Sequence, residues 1–137
     1  MAFPNEDPSA VVLRYRRLWL AIGVAMIAVV IFQSLTPAPI QIPLENGDKY
    51  GHALTYATLM FWFALIYARP GARALWAVAF VLMGMALEGL QGLTDYRTFE
   101  WEDAAANTLG VCLGWLFAPP RVPHALRFVE NYMMRRA

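Results

Sequence analysis

The sequence has few charged residues and a single cysteine, and both shortages restrict the kind of protein it can encode. Charged residues make up 15% of its 137 positions and hydrophobic residues 59%, whereas soluble domains carry about 25% charged and about 45–50% apolar residues. One cysteine excludes a disulfide framework, and Cys112 lies in an apolar run that favours a packing role. A net charge of +1 leaves no basic field for nucleic acid. The composition is typical of a protein whose solvent is lipid.

Four apolar runs supply the prediction of the fold. They cover residues 18–35, 50–67, 74–93 and 101–118, and helices of this length span roughly 30 Å, the thickness of a hydrocarbon core. Pro37 and Pro119 follow the first and fourth runs, where proline cannot continue a helix. We predict an all-α integral membrane four-helix bundle over residues 1–120. A buried soluble bundle is the alternative, which is disfavoured because four such runs leave few polar faces for water.

The placement of basic residues predicts the orientation of this bundle. The first run follows three arginines as a signal peptide would, but it is too long and lacks a small-residue cleavage site, which favours an uncleaved signal anchor. Lys49 and Arg97 fall in segments on one side of the predicted membrane. Nine arginines fall on the other side: Arg14, Arg16, Arg17, Arg69, Arg73, Arg121, Arg127, Arg135 and Arg136. Basic residues accumulate in cytoplasmic loops, so both termini are predicted inside, in a multi-pass protein of a bacterial cytoplasmic (inner) membrane.

The C-terminal segment, residues 121–137, is predicted to be a basic amphipathic tail. Its apolar positions recur at helical spacing: Val122, Ala125, Leu126, Val129, Tyr132 and Met133. Such a helix would lie on the inner leaflet, with its arginines near anionic lipid. A frayed polar end is the alternative for this segment.

The polar residues that membrane topology does not explain gather at the start of the second run, the end of the third and the start of the fourth. In an antiparallel bundle these three segments meet in the outer third of the membrane. The residues are Asp48, Lys49, His52, Tyr56, Glu88, Gln91, Asp95, Arg97, Asp103 and Asn107. Residues three or four apart share a helix face, so His52 is expected beside Tyr56, and Asp103 beside Asn107. The sequence therefore predicts one polar site at the outer membrane face.

Glu88 is the member of this set whose charge is expected to cost the most free energy to place in the membrane. It lies roughly 7–8 Å inside the helix end at 1.5 Å per residue, where an unpaired charge costs about 2.5–3.5 kcal/mol or more. We expect it to point into the bundle towards His52, Asp103, Asn107 or Arg97. The same residues have structural readings too. Asp48 and Asp103 could cap helices, and the buried polar side chains could serve as interhelical contacts, each contributing about 0.6 kcal/mol.

The ordered set of motifs resembles the VanZ-like family of small multi-pass bacterial membrane proteins. The matching segments are Asp48-Lys49-Tyr50-Gly51-His52, Glu88-Gly89-Leu90-Gln91, Arg97, and Asp103 through Asn107 with Gly110. The resemblance covers about residues 15–118 and no motif position is missing. The founding member is associated with low-level teicoplanin resistance in a glycopeptide-resistance cluster. Most members lie outside such clusters, so the resistance role is not transferred to this chain by default.

The first functional hypothesis is that the site handles a lipid headgroup or a cell-envelope precursor. Membrane lipids would be the partners, with an anionic headgroup or a polyprenyl-phosphate-linked precursor bound near two helix N-termini, which favour anions. His52, Glu88 and Asp103 would form the catalytic set, with His52 handling the proton. Lys49 and Arg97 would contact the anion, and the other binding residues are Asp48, Tyr56, Gln91 and Asn107.

Other hypotheses remain open at this stage. The cluster could belong to a non-enzymatic accessory protein in which it fixes helix packing or a partner interface. It could also move protons or ions, although the inner halves of the helices offer no acids or histidines to continue a path. We expect no cofactor and no metal, because the potential ligands are scattered singly on three helices. A homo-oligomer is compatible with the small residues Gly110 and Gly114.

Overall fold

The computed structural model describes residues 13–40 and 43–136, and over these ranges the chain is entirely helical, without strands. The helices are α1 (Arg16–Leu35), α2 (Gly47–Ile66), α3 (Pro70–Gln91), α4 (Trp101–Leu116) and α5 (Ala125–Arg136). The prediction of an all-α fold is confirmed. Three helices, α1, α2 and α3, begin before their apolar runs. In α2 and α3 the first turns contain Asp48 and Pro70, where an acid or a proline is favourable.

Consecutive helices α1 to α4 run antiparallel, which gives the bundle two chemically different ends. We call the end formed by the start of α2, the end of α3 and the start of α4 the polar end. The opposite end, where α5 joins the bundle, we call the basic end. Among the described helices, α1 and α3 are long and apolar enough to cross a membrane. Helix α4 has 16 residues, about 24 Å at 1.5 Å per residue, and α2 opens with a polar turn.

Helices α2 and α4 form the closest pair in the bundle, and two glycines make that approach feasible. A Cβ atom at Gly110 would overlap the backbone carbonyl of Ala53, and one at Gly114 would overlap that of Ala57. Small residues allow helix backbones to approach closely. Both glycines are therefore covered by α2 of the same chain, so this pair is used within the chain and not for a contact between copies.

The hydrophobic core surrounds α2. Leu59, Met60 and Phe63 are fully buried or nearly so, and the Phe63 ring packs against Trp76 and Phe80 of α3 with centroids 4.2 and 5.3 Å apart. Aromatic pairs at these separations add to the stabilisation from area burial. The outward faces of the helices remain apolar and exposed, at Val24, Phe32, Leu54, Leu75, Leu82 and Leu109.

At the basic end, Arg73 is buried and bonds to backbone. Its guanidinium donates hydrogen bonds to the carbonyl oxygens of Ala64, Tyr67 and Pro119. These carbonyls lie at or near the ends of α2 and just beyond α4, where helices leave acceptors without partners. One of the arginines that predicted orientation thus has a structural role as well.

Helix α5 packs on the bundle through its two buried residues, Leu126 and Glu130. The Glu130 carboxylate accepts bonds from the backbone N–H groups of Arg14 and Tyr15, both at 2.9 Å, and from the Trp19 indole at 2.7 Å. Burial alone would raise the pKa of Glu130, but these hydrogen bonds outweigh it and hold the pKa below its usual value. The sequence placed Leu126 on the lipid side of the tail, whereas it packs with Leu13 and Trp19.

Candidate functional site

Three helices supply the side chains of the candidate site at the polar end. Helix α2 contributes Lys49 and His52 from its first two turns, α3 contributes Glu88 from its last turn, and α4 contributes Asp103 and Asn107. Glu88, Asp103 and Asn107 are buried, whereas Lys49 and His52 are partly exposed. The convergence predicted from antiparallel threading is present in the fold for these five residues.

His52 lies at the centre of this group. Its Nδ1 is 3.0 Å from Asn107 Oδ1 and 3.9 Å from Glu88 Oε1, and its Nε2 is 3.4 Å from Asp103 Oδ2. Both ring nitrogens of His52 thus face side-chain oxygen atoms. Its side chain is 15% exposed, so His52 is the member of the central group that is accessible from the end of the bundle.

Glu88 is the most deeply buried charged residue of the site. Its side chain is 1% exposed, and its Oε2 atom has no hydrogen-bond partner. The buried Tyr56 hydroxyl also has none. Gly84, one turn before Glu88, lets α2 and α4 approach: a Cβ there would lie 3.1 Å from Asn107 Nδ2 and 3.3 Å from the Tyr56 hydroxyl. Buried polar atoms without partners are infrequent in folded proteins, and two of them mark this site.

Lys49 is surrounded by three carboxylates. Its Nζ atom is 2.9 Å from Glu100 Oε2 and 3.2 Å from both Asp48 Oδ2 and Asp103 Oδ1. The sequence assigned Lys49 to an anionic ligand. The ion pairs show instead that Lys49 already has carboxylate partners. Asp103 contacts Lys49 through Oδ1 and His52 through Oδ2, so it links the two residues.

The remaining predicted binding residues lie around this cluster. Gln91 turns away from it and donates a 2.6 Å hydrogen bond to the carbonyl of Ser34 in α1. Arg97, in the α3–α4 loop, is half-buried and forms no ion pair with an acid in the described part of the chain. Arg97 is therefore the basic residue at this end that remains available to an anion.

The residues at the cap positions of α2 and α4 are Asn46 and Glu100, and neither makes a side-chain capping bond. Asn46 takes the left-handed conformation with φ 55°, which asparagine tolerates. Asp48 and Asp103, within the first turns of these helices, both bond to Lys49. The Asp48 carboxylate also interacts with the backbone N–H groups of Asp48 and Lys49, as expected of an acid at a helix start.

Two contributions were missed at the sequence level. Glu100 lies three residues before Asp103, and this spacing on a helix start could have placed it on the same face. Glu130 was the second, since no local pattern links it to α1, more than 100 residues earlier in the chain. The fold also brings single donor atoms of His52, Glu88 and Asp103 within 4.8 Å of one another, although they are scattered along the sequence.

Comparison with known proteins agrees with the motifs. The VanZ/LLP1 family model matches residues 15–122. A Schizosaccharomyces pombe protein described as uncharacterized is 30% identical over 112 residues, which cover 80% of this chain and 67% of that protein. No solved structure matches. Since this relative is fungal, the family alone does not establish a bacterial source. The resemblance to the VanZ-like family is confirmed, and with two helices long enough to cross a bilayer it indicates a membrane protein: the chain belongs to the VanZ/LLP1 family.

Proposed function

We propose that this protein is a four-helix, multi-pass membrane protein of a bacterial inner membrane, with both termini in the cytoplasm. All four bundle helices present exposed apolar side chains outward, among them Phe32, Leu54, Leu82 and Leu109. Exposed apolar surface of this extent is typical of a face covered by lipid. The short helix α4 and the polar turn of α2 reach lipid headgroup depth at the polar end, where charged residues are tolerated.

The site at the polar end binds the anionic headgroup of a lipid or of a polyprenyl-phosphate-linked envelope precursor. The observation that carries this proposal is the His52–Glu88–Asp103 cluster, in which buried acids hold an accessible imidazole at the end of the bundle. Arg97 supplies the cation for the headgroup, because Lys49 is already paired. His52 is the proton-handling residue, because it is the accessible member of the cluster.

An apolar groove beside the cluster accommodates the chain of such a lipid. It lies between α3 and α4, has a volume of about 540 Å³ and is lined by Met85, Trp101, Ala104, Thr108 and Cys112 among others. Its upper end is the first turn of α4, the turn that also supplies Asp103. A lipid with its tail along this groove would have its headgroup next to the cluster.

Native mass spectrometry of the purified protein, with phosphatidylglycerol and undecaprenyl phosphate as probes, tests the headgroup site. Wild type is expected to retain one phosphate-bearing lipid that Arg97→Ala and His52→Gln lose. Arg69→Ala, a change at an exposed arginine of the basic end, should retain it. Equal adducts in all four proteins would contradict a specific site.

A non-enzymatic accessory role is the second candidate, and the contacts between α1 and the α3 end favour it. Gln91 and the Tyr96 hydroxyl donate hydrogen bonds to the carbonyls of Ser34 and Leu35, so part of the predicted binding set fixes helix packing. In that case, lipid retention and accumulation would fall together in His52→Gln. Teicoplanin resistance is left out of the proposal, because no contact among the described residues points to a glycopeptide.

A further inference from the structure

We propose that His52, Glu88 and Asp103 together bind one divalent transition-metal ion. Each offers one ligand atom, and the three atoms lie within 4.8 Å of one another. The His52 Nε2 and Asp103 Oδ2 atoms are 3.4 Å apart, about the separation of two ligands around an ion with bonds of about 2.0–2.1 Å. The ligand atom of Glu88 lies within 4.8 Å of the other two.

A neighbouring group of acids differs from the His52–Glu88–Asp103 group because it already contains a lysine ammonium. Asp48, Glu100 and Asp103 form a second triad of potential ligands, but Lys49 Nζ lies within 3.2 Å of all three. A fixed ammonium therefore already stands among the acids of the second triad, where a metal ion would have to bind. Glu88 has no such partner, since its closest basic neighbour is His52 at 3.9 Å. A bound cation would supply the missing positive charge.

The partnerless oxygen of Glu88 is an independent observation that points to a ligand. The Glu88 side chain is 99% buried and its Oε2 atom accepts no hydrogen bond. Leaving a buried acceptor unsatisfied costs about 1–3 kcal/mol, and more for a charged group. Coordination of an ion by this carboxylate removes that cost. The Asn107 Oδ1 atom lies 3.0 Å from His52 Nδ1, where it can accept a hydrogen bond from the N–H of the ring nitrogen that does not bind the ion and so orient the imidazole.

The ligand chemistry identifies the class of ion. One imidazole with two carboxylates suits Zn²⁺ or Mn²⁺, whereas Mg²⁺ and Ca²⁺ favour sites built from oxygen alone. The site is partly open through His52 and Lys49, so the ion would keep a free coordination position. An ion placed there could contact a phosphate oxygen of the proposed headgroup, but its binding by the protein does not require any lipid.

The test titrates Mn²⁺ into the purified full-length chain in detergent without added lipid, and follows free and bound ion by electron paramagnetic resonance. Wild type should bind one Mn²⁺ per chain, displaced by Zn²⁺, with magnetic coupling to an imidazole nitrogen. Glu88→Gln and His52→Gln should weaken binding at least tenfold. Glu102→Gln, at an exposed acid next to Asp103, should bind as wild type does.

Three outcomes would overturn the metal site. They are absence of saturable binding in wild type, absence of nitrogen coupling in the bound ion, and loss of binding in Glu100→Gln with retention in Glu88→Gln, which would move the ion to the acids around Lys49. The wild-type measurements decide the question even where a variant fails to fold. Because no lipid is present, this result is independent of the headgroup proposal.

Discussion

The two ends of the bundle use charged residues for opposite purposes. At the basic end, Arg73 and Glu130 bond mainly to backbone groups at helix termini, which is how charged side chains complete a fold. At the polar end, Lys49, His52 and Asp103 bond to other side chains, and a Glu88 oxygen has no partner. Interactions that satisfy backbone indicate structure, whereas a cluster of titratable side chains in a membrane is expensive and indicates function.

The basic end has one exception to this pattern. His124 precedes α5, and its Nε2 atom is buried without a partner. Burial lowers the pKa of His124, so the neutral imidazole is the stable form. An unprotonated histidine leaves one uncharged atom unsatisfied, which is less costly than an unsatisfied carboxylate oxygen such as that of Glu88. The two ends therefore still differ: the unsatisfied atom at the basic end belongs to a neutral imidazole, whereas that of Glu88 at the polar end belongs to a carboxylate.

The largest effect is expected where α2 and α4 touch, because both ends depend on that contact. Gly110→Ala would place a methyl group on the Ala53 carbonyl and force the helices apart, a change costing about 3 kcal/mol or more because the atoms it meets belong to backbone. The protein should accumulate poorly, as measured by fluorescence-detected gel filtration. Gly89→Ala, where no atom lies within 4 Å of the added group, is the control and should behave as wild type. Normal accumulation of Gly110→Ala would contradict the close packing.

The next effect tests the structural role of the basic end. Arg73→Leu leaves three carbonyls without their donor and should lower the free energy of unfolding by about 3 kcal/mol. Thermal melting in detergent measures this, with Arg69→Leu, an exposed neighbour, as the control. Lipid retention per folded molecule should not change. A melting temperature equal to that of the control would show that Arg73 is dispensable.

A smaller and local effect is expected at Glu130. Glu130→Gln should weaken the docking of α5 by about 1–3 kcal/mol, seen as faster hydrogen exchange in residues 125–136 with the bundle unchanged. Asn131→Ala, at an exposed position, is the matched control. If exchange in α5 is the same in both variants, the carboxylate does not hold the helix.

The same contact predicts a dependence on pH. Since the pKa of Glu130 is lowered by folding, its contribution is present above the ordinary glutamate value of about 4.3 and is lost as the pH falls through the lowered pKa. His124, whose pKa is also lowered, destabilises the fold as the pH falls below about 6.5. Exchange in α5 measured against pH should show both steps in wild type, and Glu130→Gln should lose the lower one.

The smallest effect on stability, and the sharpest test of the comparison, is expected at the polar end. Glu88→Gln replaces a buried carboxylate with a neutral group of the same shape, which changes stability by about 1 kcal/mol or less, because Oε2 has no hydrogen bond to lose. Lipid retention should nevertheless be lost. Glu102→Gln should alter neither property. A melting temperature that falls as far as that of Arg73→Leu would make Glu88 a structural residue and remove the distinction between the two ends.

Much of the helical arrangement could be predicted from local patterns. Apolar runs, the prolines after α1 and α4, and the polar turns predicted an all-α chain, and the helix ends differ from the runs by a few residues because first turns tolerate Asp48 and Pro70. Antiparallel threading predicted that His52, Glu88, Asp103 and Asn107 meet. The partner of each side chain could not be predicted, since it depends on helix rotation and on the depth at which α2 and α4 pack.

The sequence by itself therefore determined the helices, the family motifs and the set of residues at the polar end, because these follow from periodicity and from the cost of polar groups in lipid. The tertiary structure decided that Lys49 forms ion pairs with Asp48, Glu100 and Asp103, and that Gln91 donates a hydrogen bond to α1. It also decided that Glu130 holds α5 against α1. These contacts join residues 51 to 116 positions apart or depend on side-chain direction, and only packing in three dimensions fixes such choices.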